Sequence, residues 1–259
     1  LEGALFMSYV VLARKYRPQT FEAVVGQAHI TKTLKNAILG DRVAHAMLFA
    51  GPRGIGKTSV ARILAKAMNC KEGPIPIPCN ACASCREVTD GIAVDVFEID
   101  GASNRGINEI RELRENIKYM PGHSRYKIYI IDEVHMLTSE AFNALLKTLE
   151  EPPAHVLFIF ATTEPRKIPI TILSRCQRHD FKRISLEDIL EYLKGICQET
   201  SLDISDESLR LLAREADGSM RDALSLLDQV MAYSDGTATD DQVLDVLGAV
   251  DRKVIFDLS

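Results

Sequence analysis

The sequence predicts an α/β protein in which a parallel sheet flanked by helices is followed by a smaller, purely helical domain. Three observations carry that expectation. Short apolar runs rich in Val, Ile and Phe alternate with segments of helical period over residues 7–184, the pattern of strands covered on both faces. A glycine-rich octapeptide, Gly51 to Thr58, lies between one such run and the next helical segment. From Ser185 onward the periodic segments are all helical.

A length of 259 residues suits one large domain, or one with a smaller companion. The 46% hydrophobic and 26% charged residues are those of an ordinary globular chain, which excludes collagen-like, disordered and small disulfide-stapled classes. The most apolar runs, near Ile128 to Ile131 and Val156 to Phe160, stop far short of the roughly 18 to 20 residues of a membrane span, so no membrane contact is expected. Leu1 to Phe6 precede Met7 and read as an expression remnant, with Met7 as the native start, and no secretory signal follows. Six unevenly placed cysteines then point to a reducing cytoplasm. The net charge of −5 divides unequally: residues 1–185 carry +6 and residues 186–259 carry −11, as two modules with different surfaces would.

The expected strands are Ala46 to Phe49, Val94 to Ile99, Lys127 to Ile131 and Val156 to Phe160. Between them, Val60, Ile63, Leu64, Ala67 and Met68 share one helical face, and Phe142, Leu145, Leu146 and Leu149 another, the second helix ending before Pro152 and Pro153. In the helical part, Ser185 with Asp188, Ser219 with Asp222, and Thr239 with Gln242 have the spacing of capping boxes. The expected organisation is a nucleotide-binding domain over 7–184 with an insertion at about 70–86, a helical domain over 185–250, and the start of a linker or further domain over 251–259.

The octapeptide Gly51-Pro52-Arg53-Gly54-Ile55-Gly56-Lys57-Thr58 satisfies the P-loop pattern between a strand and a helix. Glycines let backbone N–H groups turn around phosphate oxygens, Lys57 would reach the β and γ phosphates, and Thr58 would hold magnesium. The strand ending in Asp132-Glu133 supplies a second magnesium ligand, Asp132, and a carboxylate, Glu133, able to orient and deprotonate water. That pair argues for hydrolysis of a nucleoside triphosphate. Thr163, with Thr162 as the alternative, ends the neighbouring strand and could hold the γ phosphate or the water. Arg175 follows a short helical turn at the domain edge, and Arg221 lies in the first turn of a helix, where a cation is disfavoured unless an anion is near.

Cys70, Cys79, Cys82 and Cys85 fall inside a Pro-rich insertion after the P-loop helix, a spacing that suits a closed tetrahedral zinc site, with an iron–sulfur cluster as the chemical rival. Cys176 and Cys197 read as small buried hydrophobes.

Taken in order, LARKYRP from Leu12, Val25-Gly26-Gln27, GPRGIGKT, the four cysteines, IDEVHML, FNALLKTLEEPP, ATTEP, LSRC and GSMRDALSLLDQ closely resemble the gamma/tau subunits of the clamp loader in the bacterial DNA polymerase III holoenzyme, members of the AAA+ ATPases. The likeness covers Met7 to about Val250. It implies a five-stranded parallel sheet with an inserted zinc module and a three-helix lid, with ATP between sheet and lid. It further implies that Arg175 is an arginine finger acting on a neighbour's ATP, that Thr163 and Arg221 are first and second sensors, and that Arg14 to Pro18 line the adenine with Val25, anchoring of the N-terminal segment being the alternative role for Arg17 and Pro18. The implied partners are other subunits in a pentamer, the sliding β clamp, and primed DNA reached through the assembled complex. Ser103, Asn104 and Arg105 are the expected phosphate-contacting residues on DNA. A collar domain that assembles the pentamer would lie beyond Ser259. The alternatives are a scaffold subunit without turnover, against which Lys57, Thr58, Asp132 and Glu133 stand intact, and a small-molecule kinase, for which the helical part supplies few arginines. No polymerase-like pair of metal-binding carboxylates is recognisable.

Overall fold

The computed structural model describes residues 9–103, 107–234 and 236–248. Two compact units emerge: Pro18–Lys182, and Arg183–Ser259 together with Leu1–Arg17. In chain order the first half contains α1 (Leu12–Lys15), α2 (Ala28–Leu39), β1 (Ala46–Ala50), α3 (Lys57–Asn69), α4 (Ala83–Asp90), β2 (Val96–Asp100) and α5 (Ile107–Asn116). Next come β3 (Lys127–Asp132), α6 (Ser139–Glu150), β4 (Val156–Thr162), α7 (Ile170–Leu173) and β5 (Gln177–Asp180). The remainder is α8 (Leu186–Thr200), β6 (Asp203–Ile204), α9 (Asp206–Glu215), α10 (Met220–Tyr233), β7 (Thr237–Ala238) and α11 (Asp240–Val246).

The larger unit is built on a five-stranded parallel sheet ordered β2-β3-β4-β1-β5. Side chains alternate across each central strand, so Met47 and Phe49, Ile128 and Ile130, and Leu157 and Ile159 join one core with Val60, Ile63, Leu64 and Ala67 of α3. Leu48, Tyr129, Ile131, Phe158 and Phe160 face the other way, onto Phe142, Leu145 and Leu149 of α6. Burying each such side chain contributes about 1.5 to 3 kcal/mol, which is why these helices fold onto the sheet in the phase their sequences dictate. The fifth strand, β5, has no apolar run; it pairs with β1 at the sheet edge, His179 level with Phe49. Parallel strands carry their functional loops at their carboxyl ends. The register sets Ile131 beside Phe160 and Ala50 beside Thr162, which brings the ends of β1, β3 and β4 to one rim.

The crossover into β3 is pinned by Asp95, 3% exposed, whose carboxylate accepts the backbone N–H groups of Gly122 (2.7 Å), His123 (2.9 Å) and Ser124 (2.8 Å). Burial favours the neutral acid, but those N–H groups outweigh it and hold the carboxyl below its ordinary value. A depressed folded pKa stabilises the fold above the unfolded value of about 3.9, and that contribution is lost as pH falls through the folded value. Asp95→Asn is expected to cost about 2 kcal/mol at pH 7, with the difference from the parent shrinking below about pH 4; urea unfolding at the two pH values checks it.

In the other unit, α8, α9 and α10 are each opened by a serine whose hydroxyl accepts the N–H three residues on, Ser185 from Asp188, Ser205 from Ser208 and Ser219 from Asp222. Thr239 and Gln242 form a full reciprocal capping box at the seven-residue α11. The short helix α1 belongs to this unit, its backbone N–H at Leu12 meeting the Asp228 carboxylate of α10 at 3.4 Å. Among the described residues no helix is long and apolar enough to cross a membrane.

Candidate nucleotide and metal site

The loop after β1 can only be made with glycine at two of its corners. A Cβ at Gly51 would lie 2.6 Å from the Phe181 carbonyl oxygen, and Gly56 sits at φ 98°, a conformation L side chains rarely adopt. Between them Ile55 is buried into the core, Pro52 and Arg53 are exposed, and Gly54 adopts φ 72°. The loop runs directly into the first turn of α3, whose N–H groups have no partner within the helix and suit a phosphate. The buried Lys57 ammonium donates to the carbonyl oxygens of Gly51 (2.7 Å) and Pro52 (2.6 Å), which holds the cation inside the loop.

Thr58, next along α3, donates its hydroxyl to Oδ2 of Asp132 at 2.6 Å, joining the phosphate loop to the end of β3. A hydroxyl and a carboxylate in contact are the hard oxygen donors that magnesium takes, so the residues present fit that ion. Glu133 follows at φ 43°, a left-handed corner that turns the chain out of the strand. Its Oε2 accepts both the backbone N–H (3.2 Å) and the hydroxyl (2.9 Å) of Thr163. Thr162, fully buried, turns instead to His135, whose Nδ1 lies 3.0 Å from its hydroxyl oxygen.

Arg175 is not brought to this cluster. Its guanidinium donates to the Thr171 carbonyl oxygen (2.7 Å), the Ser174 hydroxyl (3.2 Å) and the Glu150 carboxylate at the end of α6 (2.6 Å), and makes no contact with Lys57, Thr58, Asp132 or Glu133. Pro18 and Val25 are half-buried in the sheet unit, whereas Arg17 and Arg221 belong to the helical one, Arg221 exposed in the first turn of α10. Ser103 gives its hydroxyl to Asp100 at 2.7 Å; Asn104 and Arg105 lie outside the described residues.

The sulfur atoms of Cys70, Cys79, Cys82 and Cys85 all lie within 4.8 Å of one another, slightly wider than the about 3.8 Å edge of a tetrahedron with zinc–sulfur bonds of about 2.3 Å. The Cys79 thiol is pulled down to about 6 by the backbone N–H groups of Ala81 and Cys82 and by the Cys70 thiol, while burial pushes Cys85 up. Four soft sulfur donors with one thiol already poised to ionise fit a thiophilic ion such as zinc. Cys176 and Cys197 stand apart, pushed up by burial to about 12 and about 11, as unreactive packing residues are.

Lys66, His135 and Glu150 went unassigned in the sequence. Lys66, 1% exposed on α3, donates to Gln19 (2.6 Å) and to Asn80 (2.7 Å) between the first two cysteines of the insertion and the last two. Burial lowers its pKa against the opposing pull of Cys85. The one visible signal was a lysine set among the buried positions of an amphipathic helix.

Residues 26–185 match the family described as DNA polymerase III, delta subunit, and residues 188–236 match the DNA polymerase III clamp loader subunit, ATPase lid domain. DNA polymerase III subunit tau of Bacillus subtilis is 55% identical over 98% of this chain and 45% of its own length. Subunit tau of Escherichia coli is 51% identical over 95% of this chain and 38% of its own. Subunit gamma of Buchnera aphidicola subsp. Acyrthosiphon pisum is 47% identical over 96% of this chain and 69% of its own. The chain thus spans less than half the length of those tau relatives. Among solved structures, the Thermotoga maritima RuvB Holliday junction branch migration motor aligns with 91% of this chain and 73% of its own at a TM-score of 0.67; 18% identity makes this a likeness of fold, the AAA+ fold. Identity of 47% over 69% of the gamma subunit, and a match of residues 188–236 to the lid domain, settle the relationship: the chain belongs to the gamma/tau family of DNA polymerase III clamp-loader subunits.

Proposed function

We propose that this chain is the ATP-hydrolysing motor of a bacterial replicative clamp loader, coupling ATP binding and hydrolysis to placement of the sliding β clamp on primed DNA within an assembly of several subunits. The observation that carries the reading is the 2.6 Å contact between Thr58 and Asp132 with Glu133 one residue on, which sets the metal-binding oxygens and a candidate base at the mouth of one phosphate loop. Lys57 and the first turn of α3 bind the phosphates, and magnesium, held by Thr58 and Asp132, supplies positive charge there. Glu133 orients the attacking water and accepts its proton, steadied by Thr163 as first sensor. Pro18 and Val25, with Arg17, line the adenine, and Arg221 answers the γ phosphate as second sensor. Zinc held by the four cysteines is structural, since a closed tetrathiolate leaves no open position. Ser103, Asn104 and Arg105 approach DNA phosphates in the assembled complex, and the protein works in the cytoplasm.

Because its guanidinium is held at the Glu150 carboxylate and away from its own phosphate loop, Asp132 and Glu133, Arg175 serves the ATP of a neighbour, so that charge developing on the phosphoryl group is met only in the assembly. The test uses the full-length protein assembled with its partner subunits, sliding clamp and primed DNA. Lys57→Ala is expected to lose ATP binding and clamp placement together. Arg175→Ala is expected to keep ATP binding and lose roughly 10³-fold in turnover, with activity returning when mixed complexes place a wild-type Arg175 beside each intact site. Clamp placement without ATP, or normal turnover without Arg175, would overturn the reading.

A further inference from the structure

We propose that His135 is a positioning residue for Glu133: with Thr163 it fixes Oε2 of that carboxylate and leaves Oε1 as the oxygen that accepts from water. The proposal rests on Glu133 being the general base.

A glutamate has three rotatable side-chain bonds, and one that must accept a proton from a water needs them all held. At Glu133 three groups converge on a single oxygen. Thr163 donates its N–H and its hydroxyl to Oε2, and Nδ1 of His135 lies 3.3 Å from the same atom. Among the described residues no hydrogen bond or ion pair reaches Oε1.

The imidazole is itself firmly placed. Its side chain is 6% exposed, and the backbone beneath it closes a 3-10 turn over Val134–Met136, with the N–H of Met136 donating to the Glu133 carbonyl oxygen at 2.9 Å. Nδ1 is also 3.0 Å from the hydroxyl of Thr162, which accepts the N–H of Glu164 at 3.0 Å. On the far side, Nε2 lies 3.4 Å from Oε1 of Glu164, and that carboxylate receives the Lys167 ammonium at 2.8 Å. Whichever ring nitrogen carries the proton therefore faces a carboxylate oxygen, Glu133 on one side or Glu164 on the other. The ring is a strut between the ends of β3 and β4, braced against Glu164 and bearing on Glu133.

The experiment uses the full-length chain in its assembled complex and reads ATP affinity, single-turnover hydrolysis and thermal stability for each variant. His135→Ala is expected to lower the hydrolysis rate about 10- to 100-fold with ATP affinity unchanged and a fall in melting temperature too small to unfold the protein at the assay temperature. His135→Asn, whose amide nitrogen can take the place of Nδ1, is expected to restore most of the rate, and His135→Gln, which reaches only toward Glu164, less. In a Glu133→Gln background, His135→Ala should cost nothing further, because the two residues act as one unit. Equal losses in both backgrounds, a parallel fall in ATP affinity, or an unchanged rate in His135→Ala would each overturn the proposal. Failure of the underlying reading looks different: Glu133→Gln alone would then hydrolyse ATP at the parent rate.

Discussion

Glu133→Gln is expected to trap the protein with ATP bound, turnover falling by about 10² to 10⁴-fold while nucleotide affinity holds. The substitution is informative because so little else changes. A glutamine amide oxygen can still accept the N–H and hydroxyl of Thr163 that now meet Oε2, so the side chain keeps its place and loses only its basicity. Fluorescent-nucleotide titration beside steady-state hydrolysis in the assembled complex separates the two effects. Retained hydrolysis would point to another base, and a loss of affinity would mean that the carboxylate serves binding. The contrast with Lys57→Ala follows from geometry: Lys57 sits within the loop itself, against the carbonyl groups of Gly51 and Pro52, and its loss would remove the cation on which the proposed phosphate binding depends.

Stripping metal from the cysteine centre should have an effect of comparable size on stability. Structural zinc binds with about 10 to 16 kcal/mol in small zinc-finger peptides; in a protein with its own core only part of that energy supports the fold, and each kcal/mol lost lowers Tm by roughly 2 to 4 °C. The purified protein is expected to be colourless with one zinc per chain by elemental analysis. Strong chelation is expected to release four reactive thiols and lower the melting temperature by several such steps. Zinc should also leave on acidification, since its ligands must be thiolates. Cys79, held down to about 6, is the first to ionise, and Cys85, pushed up by burial, depends most on the metal to lose its proton. A brown protein containing iron would replace zinc with a cluster, and a metal-free protein of unchanged stability would remove the centre altogether.

What could be read from the sequence follows from which interactions are local. β1, β3 and β4 announce themselves as apolar runs because both faces of each are covered, and the helical faces of α3 and α6 because their buried positions recur every turn. β5, with the sequence Gln177-Arg178-His179-Asp180, carries no such mark: it is an edge strand with only His179 buried, recognisable only by its register against β1. The phosphate loop, the acid pair and the four cysteines are legible because spacing alone specifies them. Lys66, His135 and Glu150 are not, because what places each is a partner distant in sequence: Asn80 and Gln19 for Lys66, Thr162 and Glu164 for the ring that bears on Glu133, and Arg175 for Glu150. Pro18 breaks the chain where the two units divide, but nothing local signals that α1 folds with the helical unit and not with the sheet.

The helix α3 starts at Lys57 in the P-loop sequence and stops one residue before Cys70, the first of the four clustered cysteines. One rigid rod of about 20 Å therefore carries the proposed phosphate-binding lysine at one end and a proposed metal ligand at the other. Adding or deleting a single residue within it would rotate Cys70 by about 100° relative to Lys57 and turn Lys66 away from Asn80. Sequence length is thus frozen between positions 57 and 70, while the stretch over 71–78, which has no regular structure, is where such insertions and deletions could be absorbed during divergence.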